Sequence, residues 1–430
     1  MAMFDHTFIK TLPVHAGTRS TNAPLTGLLV LDFTHYIAGP LASMLLADLG
    51  ATVVKIEGPG GDRFRAYPPH DEANPEEGAA YLWANRNKLG IEIDLKHPEG
   101  RKLISHLVRR ADVLIENFAT GVMDRLGLGY ASMSAEQPAL VYCSISAYGS
   151  RGDMANRPGF DSVVQAESGF VSMNGYPDRP GVRTGSSVMD IGTALLASNG
   201  ILSALYERNL SGKGRRVEVS LYGSALMMAG YATMQTLCSA KSVSRQGNTS
   251  ADSCPTGVFE CRDASFFLHC GSSEIFKRLM TNVLSRQDVA DAPCYQSAQG
   301  RLKNRDQLFA VLKQEFSRFS WQQLKLLLER AKVPAGEVRD LKSALLSQET
   351  QAAELVERIE HPTLGWVPNV RSPISFDGAT GAPAKAAPVR GQDTLRVLTE
   401  IAQYDEEATA AALASGALHA ADPSAATDSE

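Results

Sequence analysis

Gly27-Leu-Leu-Val-Leu-Asp-Phe-Thr-His-Tyr-Ile-Ala-Gly-Pro40, followed by Ala51-Thr-Val-Val-Lys-Ile-Glu-Gly-Pro-Gly-Gly-Asp62, decides the fold class of this chain. Residues 28–33 form a short apolar run of strand type, and residues 52–56 a β-branched one. Between them Pro40 opens a helical stretch with Leu41, Met44, Leu45 and Leu49 on one face, and Gly50 closes it. Strand–helix–strand is the unit of a parallel sheet. Ligands of such sheets gather just beyond the carboxyl ends of the strands, here residues 34–39 and 57–62.

The alternation continues outward. Residues 113–116 and 140–144 read as further strands, with a helix over 97–109. A strong helix is predicted over 191–206, and an alternating strand over 217–221 runs into an apolar helix over 225–234. After about residue 240 the texture changes. Residues 257–270 read as a two-stranded antiparallel piece turning at Arg262-Asp-Ala, and helices with polar faces follow at 273–284, 306–317 and 321–331.

The expected fold is therefore α/β, an open Rossmann-like parallel sheet in a large domain (25–225) with a smaller α+β domain (251–355). Residues 226–250 read as a linker and 356–419 as a return segment packing on the large domain. Residues 1–24 read as a loosely ordered extension, and the Ala/Ser/Asp-rich residues 420–430 as a disordered tail.

Composition narrows the function classes. With 42 basic and 47 acidic residues the net charge is −5, and no long basic run is present. That argues against nucleic acid or an anionic membrane as partner. No stretch approaches the roughly 18 consecutive apolar residues of a membrane span. The first 24 residues lack an apolar signal core, so a cytoplasmic protein is expected. The six cysteines (143, 238, 254, 261, 270, 294) form no CxxC pair, which points to reduced thiols and to no metal site. The loop after the first strand, His-Tyr-Ile-Ala-Gly-Pro, is not the GxGxxG of a dinucleotide fold, despite Gly60-Gly61 after the second strand.

Separated segments then combine. They are Asp32-Phe-Thr-His-Tyr-Ile-Ala-Gly-Pro, Lys55-Ile-Glu, Asn85-Arg-Asn-Lys, Asp94-Leu-Lys-His-Pro-Glu-Gly, Ala111-Asp-Val-Leu-Ile-Glu-Asn-Phe, Arg125-Leu-Gly and Gly159-Phe-Asp-Ser-Val-Val-Gln-Ala. Asp190, Ser211-Gly-Lys-Gly-Arg, Val333-Pro-Ala-Gly and Ala387-Pro-Val-Arg-Gly-Gln complete the series. In this order and spacing the chain resembles the family III CoA-transferases (the CaiB/BaiF type, formyl-CoA and carnitine CoA-transferase group) over about residues 25–405.

The resemblance implies an interlocked homodimer, an acyl-CoA and a small carboxylic acid as substrates, and no tightly bound cofactor beyond the coenzyme A thioester itself. By position it implies CoA contacts at His35, Tyr36, Ile37, Ala38, Lys55, Glu57, Asn87, Lys88, Asn117, Phe118 and Arg125. Lys88 and Arg125 would supply cations for the phosphates. Each position also has a plainer reading: Lys55 and Glu57 as solvated strand-end charges, Asn117 as a turn residue, Phe118 as core, Arg125 as a helix C-terminal charge.

The resemblance puts the catalytic nucleophile at Asp190, in Arg183-Thr-Gly-Ser-Ser-Val-Met-Asp-Ile-Gly. A carboxylate can be acylated by a thioester and then attacked by the CoA thiolate, because its acyl form is a mixed anhydride. The same residue also reads as the N-cap of the helix that follows. Ile37 stands where the formyl-CoA branch presents Gln, and Met189 where relatives often carry Gly. A run of glycines that covers the intermediate in that branch is missing, and Ser253-Cys-Pro-Thr-Gly257 is expected at that entrance, with Cys254 lining it. The alternatives are an α-methylacyl-CoA racemase-like isomerase and a CoA-binding protein without turnover. The racemases pair the aspartate with a histidine, and the matching position here is Phe160. Arg157 and Arg183 are candidates for binding a second carboxylate, which would favour short dicarboxylates such as succinate.

Overall fold

The structure, a computed structural model, describes residues 4–15, 23–376, 379–380 and 384–421. The chain divides into two compact units. The larger comprises Met1–Phe170, Thr184–Cys238 and Gln348–Glu430, and the smaller Val171–Arg183 and Ser239–Ser347.

The larger unit is built on a seven-stranded sheet. Its strands are β1 (Leu29–Asp32), β2 (Thr52–Glu57), β3 (Lys88–Ile93), β4 (Val113–Glu116), β5 (Val141–Ser146), β6 (Arg216–Ser220) and a closing strand Leu418–His419. The spatial order is closing strand–β3–β2–β1–β4–β5–β6. The six numbered strands pair in parallel, and the closing strand pairs antiparallel with β3. All four residues of β1 are buried. Val30 joins the apolar cluster on one face of the sheet, while Leu29 and Leu31 join the cluster on the other. Burial on both faces is why the strand is apolar at nearly every position instead of alternating.

Helices cover both faces. They include α1 (Ala38–Asp48), α2 (Pro98–Val108), α3 (Asp161–Glu167), α4 (Val188–Ser211) and α5 (Leu221–Met228). The face of α4 that meets α1 and the sheet is built from small and branched residues, among them Ala194, Ala197, Ile201 and Leu205. Ser198 donates its hydroxyl to the carbonyl of Ala42 across the α1–α4 contact at 3.1 Å. Gly192 lets α5 come in close, since a Cβ there would stand 2.0 Å from the Met228 sulfur. By length and composition α4 is the one helix among the described residues that could cross a membrane, yet half of its apolar window is buried inside the protein.

Several boundaries differ from the sequence reading. Helix α4 begins at Val188, three residues before the predicted start, so Asp190 lies inside its first turn. The predicted helix over 225–234 is two helices, α5 and Tyr231–Ser239, separated at Gly230 (φ +63°). Much of the expected linker is thus helical. The N-terminal segment read as loose carries a short helix, His6–Ile9, with Ile9 and Leu12 buried. The tail expected from residue 420 lies, beyond residue 421, outside the described residues.

The return segment contributes Val397, Leu398 and Ala402 to the apolar cluster on the α2 side of the sheet.

The smaller unit carries a three-stranded antiparallel sheet, Thr256–Glu260, Ser265–His269 and Ala335–Glu337. Around it pack Ser273–Arg278, Arg305–Phe316 and Trp321–Arg330, over an aromatic core of Phe259, Phe266, Phe316 and Trp321. Arg301 is fully buried and donates to the carbonyls of Cys254, Tyr295 and Gly271. Cys254 is likewise buried, and burial pushes its thiol up despite Arg305 beside it. That is the environment of an unreactive thiol.

Candidate active site

The strand order changes direction between β1 and β4, which makes the crevice beyond their carboxyl ends the expected place for a ligand. The two loops that leave these strands are tied together there. The His35 N–H donates to Asn117 Oδ1 at 2.9 Å, and Asn117 Nδ2 donates back to the His35 carbonyl at 2.8 Å. The His35 and Phe118 rings meet edge to face at 4.6 Å. Tyr36 adopts φ +64°, which turns the chain sharply into α1. Asp62 supports that bend by accepting the Tyr36 N–H at 3.3 Å.

Beneath the bend lies a buried polar network. Asp32 accepts from Thr34, from Ser43 and from Lys88 Nζ at 2.9 Å. Burial opposes the Asp32 charge, but Lys88 and Lys55 outweigh it and hold the carboxyl well below its ordinary range. Lys55 donates to the Thr34 carbonyl and to Asp62 at 3.0 Å. Glu57 takes Arg65 in a two-pronged ion pair at 2.8 and 2.7 Å. Lys88 spends its three protons on Asp32, the Pro40 carbonyl and Asn85.

Lys55 and Lys88 are therefore internal, which differs from the expectation that they meet CoA directly, whereas Glu57, though tied to Arg65, borders a smaller cavity beside Gly58 and Pro59. Lys88 in particular has no proton left for a phosphate, and burial pushes its ammonium down to about 8 despite Asp32. Asn87 precedes β3, at the end of the sheet opposite the crevice, and bonds to Asp48 and the Lys385 N–H. Arg125 is exposed on the short helix Val122–Arg125.

His35, Tyr36, Ile37, Ala38, Asn117, Phe118 and Asp190 come together around one cavity of about 500 Å³. Residues 119–120, 145–147 and 155–160, with Leu221 of α5, complete its wall. A second cavity of about 280 Å³ shares His35 and Phe118 with the first and runs over Gly58, Pro59, Leu95 and Lys96. Lys96 was not singled out from the sequence. It sits just past the carboxyl end of β3, the place where the parallel-sheet rule puts ligands, so the signal was there to be used.

Asp190 is the third residue of α4, not its cap. The cap residue, Ser187, makes no side-chain cap bond. Instead Asp161, the first residue of α3, accepts the N–H groups of Met189 at 2.7 Å and Asp190 at 3.2 Å through one oxygen. Its other oxygen accepts from Gln165 Nε2, and Gln165 Oε1 in turn accepts the Thr184 N–H at 2.9 Å. Sequence reasoning missed Asp161, whose only mark was its place beside Phe160. Among the described residues the Asp190 carboxylate has neither a hydrogen bond nor an ion pair. Burial, and then the charge of Asp161, push it up to about 7. An unpaired carboxylate of near-neutral pKa, opening on a cavity with no cysteine in its wall, is suited to act as nucleophile or base.

Arg157 also lines this cavity. It pairs with Glu167 at 2.6 Å and lies over the Tyr148 ring at 5.3 Å. Phe160, half of it or more exposed, stands edge-on to Tyr36 at 5.8 Å. Arg183 belongs to the smaller unit. Among the described residues no group of three or more His, Cys, Asp or Glu is arranged to hold a metal ion.

Residues 25–394 match the sequence model of CoA-transferase family III. The chain is 31% identical over 396 residues to the succinyl-CoA:glutarate CoA-transferase of Homo sapiens, covering 92% of this chain and 90% of that protein. It is 36% identical over 335 residues to the acetyl-CoA:oxalate CoA-transferase of Acetobacter aceti, covering 77% and 85%. The crystal structure of a CAIB/BAIF family protein from Brucella suis superposes with a TM-score of 0.79 at 32% identity, over 88% of this chain and all of that one.

Proposed function

The chain belongs to CoA-transferase family III, and on that premise we propose that it moves CoA from an acyl-CoA to a dicarboxylate acceptor, with Asp190 as the nucleophile. The observation that carries this reading is the Asp190 carboxylate, unbonded and facing a cavity walled by the β1 and β4 loops. An Asp190 oxygen attacks the thioester carbonyl, the C–S bond breaks, and the CoA thiolate leaves. The thiolate then attacks the Asp190 carbonyl of the mixed anhydride and expels the donor carboxylate, leaving Asp190 as a thioester of CoA. The acceptor carboxylate attacks that thioester and releases the thiolate once more. Attack of the thiolate on the acceptor carbonyl of the second anhydride gives the new acyl-CoA and restores Asp190. No proton or electron is gained or lost overall.

The two cavities that share His35 and Phe118 support a long ligand threaded past the β1 loop, with pantetheine near Asp190 and the nucleotide near Lys96. His35, Tyr36, Ile37, Ala38 and Phe118 would touch it. Asn117, bonded to the His35 backbone, would hold the wall, Glu57 would border the nucleotide end, and Lys55 and Lys88 would support the loop from beneath. Ile37 leaves the acyl end without a side-chain amide, which speaks against formyl transfer. The relatives named for glutarate and oxalate favour dicarboxylates, and Arg157 is the cation in the wall that would meet the distal carboxylate. Phe160 carries no titratable group, so Asp190 has no histidine beside Asp161 to share proton transfer as a racemase requires.

A homodimer is supported by the apolar side chains that α4, α5 and Tyr231–Ser239 leave exposed, such as Leu210, Met227, Tyr231 and Leu237. A reducing, cytoplasmic setting is supported by six cysteines that stand as free thiols.

The test is a matrix of acyl-CoA donors against carboxylate acceptors, coupled to borohydride or hydroxylamine trapping and peptide mapping. Modification at Asp190 and transfer among dicarboxylates are expected. Modification elsewhere, or full activity in Asp190→Ala, would overturn the mechanism. Exchange of an α-proton in deuterated water without CoA transfer would show an isomerase instead.

A further inference from the structure

We infer that Asp161 is a positioning residue for Asp190: it takes the backbone donors at the start of α4 and so leaves the Asp190 carboxylate unbonded and open to the cavity. The inference rests on the reading of Asp190 as nucleophile. The first turn of a helix offers unpaired N–H groups and a positive dipole end, and a carboxylate in that turn ordinarily folds back onto them. A carboxylate bonded in this way is a poorer nucleophile, because the same donors that stabilise its charge must be given up in the attack.

Here the cap residue Ser187 leaves the site vacant, and Asp161 enters from another helix to accept the N–H groups of Met189 and Asp190. Asp161 is itself buried, and Gln165 fixes it by donating to its second oxygen while anchoring the Thr184 N–H. The charge of Asp161 also repels that of Asp190, so the nucleophile is driven away from the helix end and its proton is held more tightly. The other titratable groups at the cavity come from elsewhere. His35 and Tyr36 stand on the β1 loop, and Arg157 is tied to Glu167. Helix α5 presents Leu221 to the cavity, with the Tyr222 ring next to it tilted toward Tyr148 at 6.0 Å.

Asp161→Asn probes the charge, since its amide oxygen still accepts the N–H groups while the charge, and with it the bond from Gln165 Nε2 to the second oxygen, is lost. The full chain and both variants, Asp161→Asn and Asp161→Ala, are compared by the pH dependence of kcat/KM, by trapping at Asp190 and by thermal melting. Asp161→Asn should melt as a folded protein and still be trapped at Asp190. Its acid limb, near pH 7 in the unaltered chain, should move down by about one pH unit. Asp161→Ala should lose about 30-fold in kcat with KM for acyl-CoA within about threefold, because freed donors would bind the nucleophile. An unshifted acid limb in Asp161→Asn together with normal kcat in Asp161→Ala would overturn the inference while leaving Asp190 as nucleophile. Absence of trapping at Asp190 in the unaltered chain would overturn both.

Discussion

Asp161 Oδ2 accepts the backbone N–H of Asp190 at 3.2 Å, so the residue that caps α4 and the residue that faces the cavity are two different carboxylates. A single aspartate at a helix start has to choose between tying down the first turn and doing chemistry. Here a second chain segment, between β5 and α4, takes the capping task. The arrangement keeps two like charges close together in a half-buried place, which is costly for stability and leaves the carboxylate of the proposed nucleophile unbonded.

That cost gives Asp190→Asn a double signature. The folded carboxyl is held at about 7 against an ordinary value of 3.8. A group whose pKa is raised on folding is proton-bound in the native state while the unfolded chain has already ionised. Stability therefore falls as pH rises from about 4 to 7 and stays lowered above that range. Asp190→Asn should abolish transfer by about 1,000-fold or more, yet stabilise the protein at pH 8 by about 1–3 kcal/mol, with little gain at pH 4. Thermal or urea melts at the two pH values read this directly. Equal destabilisation at both would mean that the carboxylate is holding the fold.

Lys88 and Lys96 should respond in opposite ways. Lys88→Met leaves Asp32 buried without its 2.9 Å partner, a loss on the order of 3–5 kcal/mol in urea unfolding. The protein that remains folded should keep its KM for acyl-CoA. Lys96→Ala should scarcely alter stability but raise that KM about 3- to 10-fold, with a weaker dependence on ionic strength than the unaltered chain. A KM effect confined to Lys88→Met would instead place the phosphate on the buried lysine.

The contrast shows what was legible in the sequence. Strand β4 was read to the residue, and β1 and β2 to within one residue at either end, because a sheet covered on both faces writes itself as unbroken apolar runs. The sequence points to the carboxyl ends of β1 and β2, while the crossover between β1 and β4 comes from the strand order of the folded chain; seven of the twelve expected site residues line the first cavity there. What the sequence could not separate was a charge that faces a ligand from one that faces another charge. Lys55 and Lys88 look like surface cations until Asp62 and Asp32 are seen 3.0 and 2.9 Å away. The same holds for Asp161, 29 positions from the amide it caps, since no local pattern reports a contact of that span. The sequence places the start of α4 three residues late because Asp190 reads as its N-cap, while Val188 and Met189 carry no capping signal of their own.

Arg157→Gln tests the acceptor. Arg157 is exposed to solvent in its pair with Glu167, so its removal should scarcely alter stability. If it binds the far carboxylate of the acceptor, KM for glutarate or succinate should rise about tenfold or more, while KM for a monocarboxylate of equal length changes little. A uniform rise for both acids would assign Arg157 to the shape of the wall and leave the distal carboxylate without a partner on this side.

Asn117→Ala probes the seam at the strand crossover. The substitution removes both bonds to the His35 backbone, at 2.9 and 2.8 Å, and leaves a partly buried N–H and carbonyl to find water. Two such bonds are together worth about 1–3 kcal/mol, which urea unfolding would register. The larger effect should be on binding. The His35 ring forms the wall shared by the two cavities and is kept against Phe118 by the same loop, so freeing the loop should raise KM for acyl-CoA about tenfold while kcat stays within about threefold. Asn117→Asp separates support from direct contact, because a carboxylate still accepts the His35 N–H but can no longer donate to its carbonyl. An Asp variant intermediate in both stability and KM would mean that Asn117 acts through His35. Loss of binding at full stability would mean that the amide touches the substrate itself.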